Sequence, residues 1–234
     1  VILFFIGASL LYHAGRGAQI SIEATSTSHF PSAPQRNPMK IPPTTTFTQI
    51  AEFMILLFAT HLVNLVTGMW FTRFGILPRT MAGLRGIVFG PLLHRDWSHL
   101  IANAAPLAGL LCIMAFSNRH ALWPNTAAIW IISGAAIWMF GRPGSVQVGA
   151  SGLIYGLAAF LIAIGWLHRD AKSALAAALV IFLYGGIVWG LLPTRPGVSW
   201  EGHLCGALAG ILVANLPQNG LFLVPLILFS LGES

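Results

Sequence analysis

Apolar residues run along this chain in membrane-length blocks, not in the narrow stripes of a soluble helix. A helix that crosses a bilayer needs about 20 predominantly apolar residues. Six stretches meet that length, at about 50–71, 98–116, 122–140, 149–167, 174–192 and 200–216. Short polar or Gly/Pro breaks divide them: Ser117 to His120, Gly141 to Gly144, His168 to Lys172 and Pro193 to Gly197. The pattern predicts an all-α membrane protein, a bundle of six transmembrane helices. The connection between the first two stretches is longer, and its segment Gly75 to His94 is apolar but interrupted by glycine and proline. That composition predicts a membrane-associated first loop lying against the interface, its backbone satisfied by protein.

The two ends read differently. Residues 17–48 are rich in Ser, Thr and Pro and are expected to form a disordered linker. Before them Val1 to Tyr12 is apolar but short, open to reading as a truncated span, a signal-like segment or a mis-assigned start. The tail Leu221 to Leu231 contains Pro225 and fits a partial seventh span or an interfacial segment. The expected organisation is a stub and linker over 1–48, a six-helix core over 49–217, and a short apolar segment over 218–234.

Composition fits the same class. The chain is 56% hydrophobic and 8% charged, where soluble domains carry about a quarter charged residues. Its net charge of +6 comes from scattered single residues, which excludes a nucleic-acid-tracking surface and fits loops facing anionic headgroups. Lys and Arg divide evenly between the two faces, so charge does not set the orientation. Cys112 and Cys205 lie inside apolar stretches without metal-ligand spacing and read as small buried hydrophobes. No metal or other cofactor is expected.

Polar side chains inside the membrane are costly, so each one needs a reason. Ser151 opens the fourth stretch within Gly149-Ala150-Ser151-Gly152, and His203 opens the sixth. His99 and Asn103 open the second, and their i, i+4 spacing puts them on one helix face. Stretches two, four and six run in one direction, so all four residues are expected at one depth. Gly202, Gly206 and Gly210 recur every fourth residue, as do Gly152 and Gly156, and such stripes let helix backbones touch. Close approach would bring the His203 imidazole to the Ser151 hydroxyl, the arrangement of a nucleophile and its base. His99, the Asn103 amide and the Ser151 backbone N–H are the candidate donors to an oxyanion. No aspartate or glutamate is placed to orient His203. Packing against Tyr155, one turn after Ser151, is the expected substitute in a Ser–His dyad.

Each of these residues alone has a blander reading. A serine in a Gly/Ala-rich span usually serves helix packing, and Gly-x-x-x-Gly says only that helices meet. His61, in mid-span beside Asn64, is expected to be a hydrogen-bonded structural group, and Ser133 has no polar partner at matching depth. The combination carries the functional reading.

That combination resembles the rhomboid family of intramembrane serine proteases, over about residues 49–217. His99-x-x-x-Asn103 matches the family's second-span oxyanion motif, with His94 matching a further loop histidine. Gly149-Ala150-Ser151-Gly152 matches the nucleophile motif, Tyr155 a stacking aromatic, and His203-x-x-Gly206-x-x-x-Gly210 the sixth-span base motif. The first loop lacks the family's frequent Trp-Arg pair and has Arg79 and Arg85 instead. The resemblance implies a multi-pass protein that cuts transmembrane protein substrates near the membrane interface, in a lipid bilayer expected to be a bacterial plasma membrane. It leaves the oligomeric state open. Two other functions compete: a non-catalytic relative that binds membrane proteins, and a small transporter. The first would be expected to lose Ser151 or His203. The second would need polar residues continuing below them, where the sequence is apolar.

Overall fold

A computed structural model describes residues 44–117, 122–193 and 199–216. The expectations for Val1 to Tyr12, for 17–43 and for the tail lie outside the described residues. Seven α-helices are found there: α1 Thr44–Val66, α2 Met81–Phe89, α3 Trp97–Ser117, α4 Leu122–Phe140, α5 Ser151–His168, α6 Ala171–Tyr184 and α7 Trp200–Asn215. Short 3-10 turns cover Trp70–Phe74, Gly90–Leu92 and Gly185–Leu191. Among the described residues four helices are long and apolar enough to cross a membrane: α1, α3, α5, and α6 together with its 3-10 continuation to Leu191.

Helix α1 starts six residues before the expected stretch and takes in Thr44 to Thr48, which the composition had placed in the linker. It stops at Val66 because the chain turns left-handed at Gly68 and Met69. The core forms where α3, α4 and α5 meet, around Leu107, Leu110, Leu111, Trp130, Leu157 and Phe160. Large apolar side chains also cover the outside, among them Val66, Phe140, Trp166, Phe182 and Trp189, each at least 65% exposed. Such a surface is unstable against water and suited to lipid tails.

The loop between α1 and α3 is pinned from several directions. Trp130 and Trp138 of α4 donate their indole N–H groups to the carbonyls of Ile87 and Thr80. Arg79 donates to the carbonyl of Met139, and the Arg85 guanidinium lies 4.4 Å from the Phe74 ring centre. Ile76 and Gln147 exchange both backbone hydrogen bonds, at 2.9 and 2.8 Å. The loop is thereby tied to the segment that leads into Ser151.

Candidate active site

Ser151 is the first residue of α5. The approach to it is fixed by Gly149, whose N–H donates to the carbonyl of Gly90 at 2.9 Å. Gly149 has φ +112°, which only glycine adopts without strain. A Cβ there would also sit 2.6 Å from Cε1 and 2.7 Å from Nε2 of His99. The imidazole of His99 therefore lies directly on the turn that delivers the serine. No side chain caps the start of α5. Its first N–H groups lack intrahelical partners, and the positive end of the helix dipole points at Ser151.

Helix α7 lies backbone to backbone against α5. A Cβ at Gly206 would run into the carbonyl of Gly152, and one at Gly210 into the carbonyl of Gly156. The reciprocal approach, a Cβ on Gly156 to the Gly206 carbonyl, is 3.0 Å. Both glycine stripes thus face each other. The start of α7 is capped by Ser199, whose hydroxyl accepts from Gly202 N–H at 3.2 Å.

This seam sets His203 beside Tyr155, the two rings stacked 4.1 Å apart at an interplanar angle of 7°. Nδ1 of His203 lies 2.8 Å from the carbonyl oxygen of Gly190. A carbonyl only accepts, so Nδ1 carries the hydrogen and Nε2 of the neutral ring keeps its lone pair. The Tyr155 hydroxyl donates to the carbonyl of Ile187 at 2.6 Å. Both carbonyls come from the 3-10 segment that ends α6. Because the α-helical ladder stops there, those carbonyls are available to side chains. No hydrogen bond joins Ser151 to His203 in this structure; in substrate-free enzymes such contacts are commonly long.

The expected orienting role of Tyr155 is therefore shared with a backbone carbonyl that sequence reasoning missed. Gly190 is the residue concerned: a Cβ there would strike the Tyr155 hydroxyl and lie 3.1 Å from His203 Nδ1. The signal was the glycine-rich interruption Gly185-Gly186-x-x-x-Gly190 late in an apolar stretch. Glu201 is occupied elsewhere, pairing with Arg142 at 3.0 Å.

On α3, Asp96 caps the helix by accepting from His99 N–H at 2.7 Å, which fixes where His99 begins. The Ser98 hydroxyl and the His99 N–H hold the Asp96 carboxyl below its ordinary range. Asn103 is buried and donates to the His99 carbonyl at 2.6 Å, so part of its donor capacity is spent on its own helix. His94 is fully buried beside His99, with ring centres 5.1 Å apart. Burial, then the neighbouring His99, lowers its pKa to about 4, so His94 is neutral at physiological pH. His61 is also fully buried, but neither ring nitrogen has a partner among the described residues, contrary to the hydrogen-bonded structural role expected for it.

The long apolar helices mark an integral membrane protein, with a cluster of polar side chains gathered at the head of α5. The Rhomboid domain family profile matches residues 81–217. An uncharacterized protein of Mycobacterium tuberculosis is 40% identical over 177 residues, 72% of this chain and 74% of its own length. An uncharacterized protein of Mycobacterium leprae is 38% identical over 175 residues, 71% and 69% of the two chains. Rhomboid-like protease 5 of Toxoplasma gondii is 30% identical over 133 residues, 54% of this chain and 15% of that protein. The chain belongs to the rhomboid family.

Proposed function

We propose that this protein is an intramembrane serine endopeptidase that cleaves transmembrane protein substrates near the membrane interface. The observation that carries the reading is His203: a carbonyl on Nδ1 and the stacked ring of Tyr155, itself one helical turn after Ser151, hold it so that Nε2 of the neutral ring is unprotonated. In this reading Ser151 Oγ attacks the scissile carbonyl while Nε2 takes its proton. The Ser151 N–H, His99 and Asn103 stabilise the oxyanion. His203 then protonates the departing amine, and water hydrolyses the acyl-enzyme by the same route in reverse. A substrate helix must open locally first, since an intact helix hides its carbonyls.

The six-span topology belongs to the same proposal, with α4 and α7 crossing alongside the four longer segments. A bacterial plasma membrane is the proposed location, supported by the mycobacterial relatives. The name of the Toxoplasma relative supports the protease reading over a binding-only role.

The test is covalent labelling by a fluorophosphonate in detergent. Wild type should label and Ser151→Ala should not. Equal labelling of both would remove Ser151 as the nucleophile. His203→Ala should abolish labelling and cleavage of a reconstituted substrate while the protein stays folded.

A further inference from the structure

Beside His99 lies a cluster of buried polar side chains that the proposed mechanism does not use. It contains His61 and Asn64 of α1 and His94 of the loop, all fully buried. Among the described residues no partner is found for either nitrogen of His61, either nitrogen of His94, Asn64 Nδ2 or His99 Nδ1. Leu92 places a backbone carbonyl near enough to His94 to favour its cation slightly, but outside hydrogen-bonding geometry. Buried polar atoms are nearly always satisfied, by protein or by ordered water. No group of three or more His, Cys, Asp or Glu among the described residues is placed to hold a metal ion, so coordination does not account for these nitrogens.

The ring spacings leave room for hydrogen bonds within the cluster, although no nitrogen of one imidazole is paired with a nitrogen of another in this structure. An N–H···N bond of about 2.9 Å puts two imidazole centres roughly 5 Å apart. His94 and His99 stand at 5.1 Å, so a turn of the His94 ring in place would bring a nitrogen to His99 Nδ1, which is unpaired in the conformation described. A single bridging water, with two bonds of about 2.8 Å, puts the centres roughly 6.5 Å apart. His61 and His94 stand at 6.5 Å. Asn64, three residues after His61 and so on the same helix face, supplies a third polar partner, the usual number for a buried water. The Trp97 ring packs edge-on against His61, 4.8 Å away.

The role proposed for His99 calls for a donor to its Nδ1. Its Nε2 edge faces Gly149, and Nδ1 is buried on the other side. If Nε2–H is to donate to an oxyanion, Nδ1 of the neutral ring must accept, and it needs a donor. We propose that Asn64, one bound water with His61, and His94 form a buried hydrogen-bond chain that donates into His99 Nδ1 and fixes its Nε2–H tautomer toward Ser151. His61 and His94 are then positioning residues, acting through His99. The chain's value to turnover rests on the proposed hydrolytic reading, but the tautomer itself does not.

The test is 15N NMR of histidine-labelled full-length protein in bilayers at pH 7, with the His99 signals assigned by their loss in His99→Phe. Wild type should show Nε2 protonated and Nδ1 as a hydrogen-bonded acceptor. A wild-type His99 that is cationic, or protonated on Nδ1 alone, would overturn the chain without any variant. His94→Phe and His61→Met should mix the tautomers, and His94→Gln, which still donates and accepts, should restore the wild-type pattern. Unchanged His99 shifts in both disrupting variants would also overturn it. In turnover, His94→Phe should lower kcat about 10-fold at nearly constant KM, on the scale of losing an outer partner that fixes a histidine tautomer. If His99 responds as expected but no substrate is cut, the chain stands and the protease reading falls. If substrate is cut and His99 does not respond, the reverse holds.

Discussion

His203 is held from two sides by regions built on opposite principles. On one side is the α5–α7 seam, where glycine backbones touch and no side chain intervenes. On the other is the 3-10 end of α6, which supplies the Gly190 and Ile187 carbonyls from a largely lipid-facing segment. Half of the α5 span is buried, but only 17% of the span running from Ala171 to Leu191. The seam resists deformation because a packed core has no room to absorb added volume. The strap has few buried contacts and so belongs to the low-stability part of the fold. The position of His203 is therefore coupled to stability, whereas its tautomer is set by a segment that can change without unfolding the protein.

The largest expected effect tests the seam. Gly206→Val places a branched side chain where the Gly152 carbonyl lies, so α7 must move away from α5. Activity should fall below detection and the melting temperature should drop, both read on one purified sample. Full activity with unchanged melting would mean that the two stripes are not in contact. Next is Asn103→Ala, expected to lower turnover by roughly 10²–10³-fold, the scale of one oxyanion donor. Because Asn103 already donates to the His99 carbonyl, the lower end is expected. Weakened substrate affinity at unchanged turnover would reassign Asn103 to binding or structure.

The seam was more legible in the sequence than the strap, for a physical reason. Gly202, Gly206 and Gly210 matter through what they lack, and that absence repeats at helical spacing. Ser151, His203, His99 and Asn103 stood out because a polar group in an apolar stretch needs a purpose. Helix positions were also legible from length and hydropathy, and four of the described helices are long and apolar enough to cross a membrane, although the start of α1 was not legible: Thr44 to Thr48 are helical despite a linker-like composition. The orienter of His203 was hidden because a backbone carbonyl has no letter in a sequence. Only the glycine interruption late in the fifth stretch marked it. The His61–His94–His99 cluster was hidden for another reason. Its members come from α1, the loop and α3, and no periodicity connects them.

Smaller effects test the strap. Gly190→Ala forces a Cβ onto the Tyr155 hydroxyl and crowds His203 Nδ1. The segment is exposed enough to yield, so melting should change little. Turnover should fall on the order of 10²-fold, the typical consequence of an ångström-scale misplacement of a catalytic group. A melting loss as large as that of Gly206→Val would show that strap and seam form one cooperative unit.

Tyr155→Phe is the mildest variant and separates two contributions of one side chain. The phenyl ring keeps the stack on His203, 4.1 Å away. What disappears is the hydroxyl that donates to the Ile187 carbonyl at 2.6 Å. Removing that bond should lower stability by about 1 kcal/mol, a typical net value for a single hydrogen bond. The Gly190 carbonyl would still hold Nδ1 of His203, so the tautomer should persist. Turnover should fall only a few-fold, because the ring plane is kept and one tether of the strap is lost. Tyr155→Leu removes the flat surface as well and should cost more turnover than Tyr155→Phe at a similar melting temperature. The measurement is kcat and melting temperature for both variants beside wild type. If Tyr155→Phe were as inactive as His203→Ala, the hydroxyl would have a direct part in the chemistry, and the strap would be more than a support for the base.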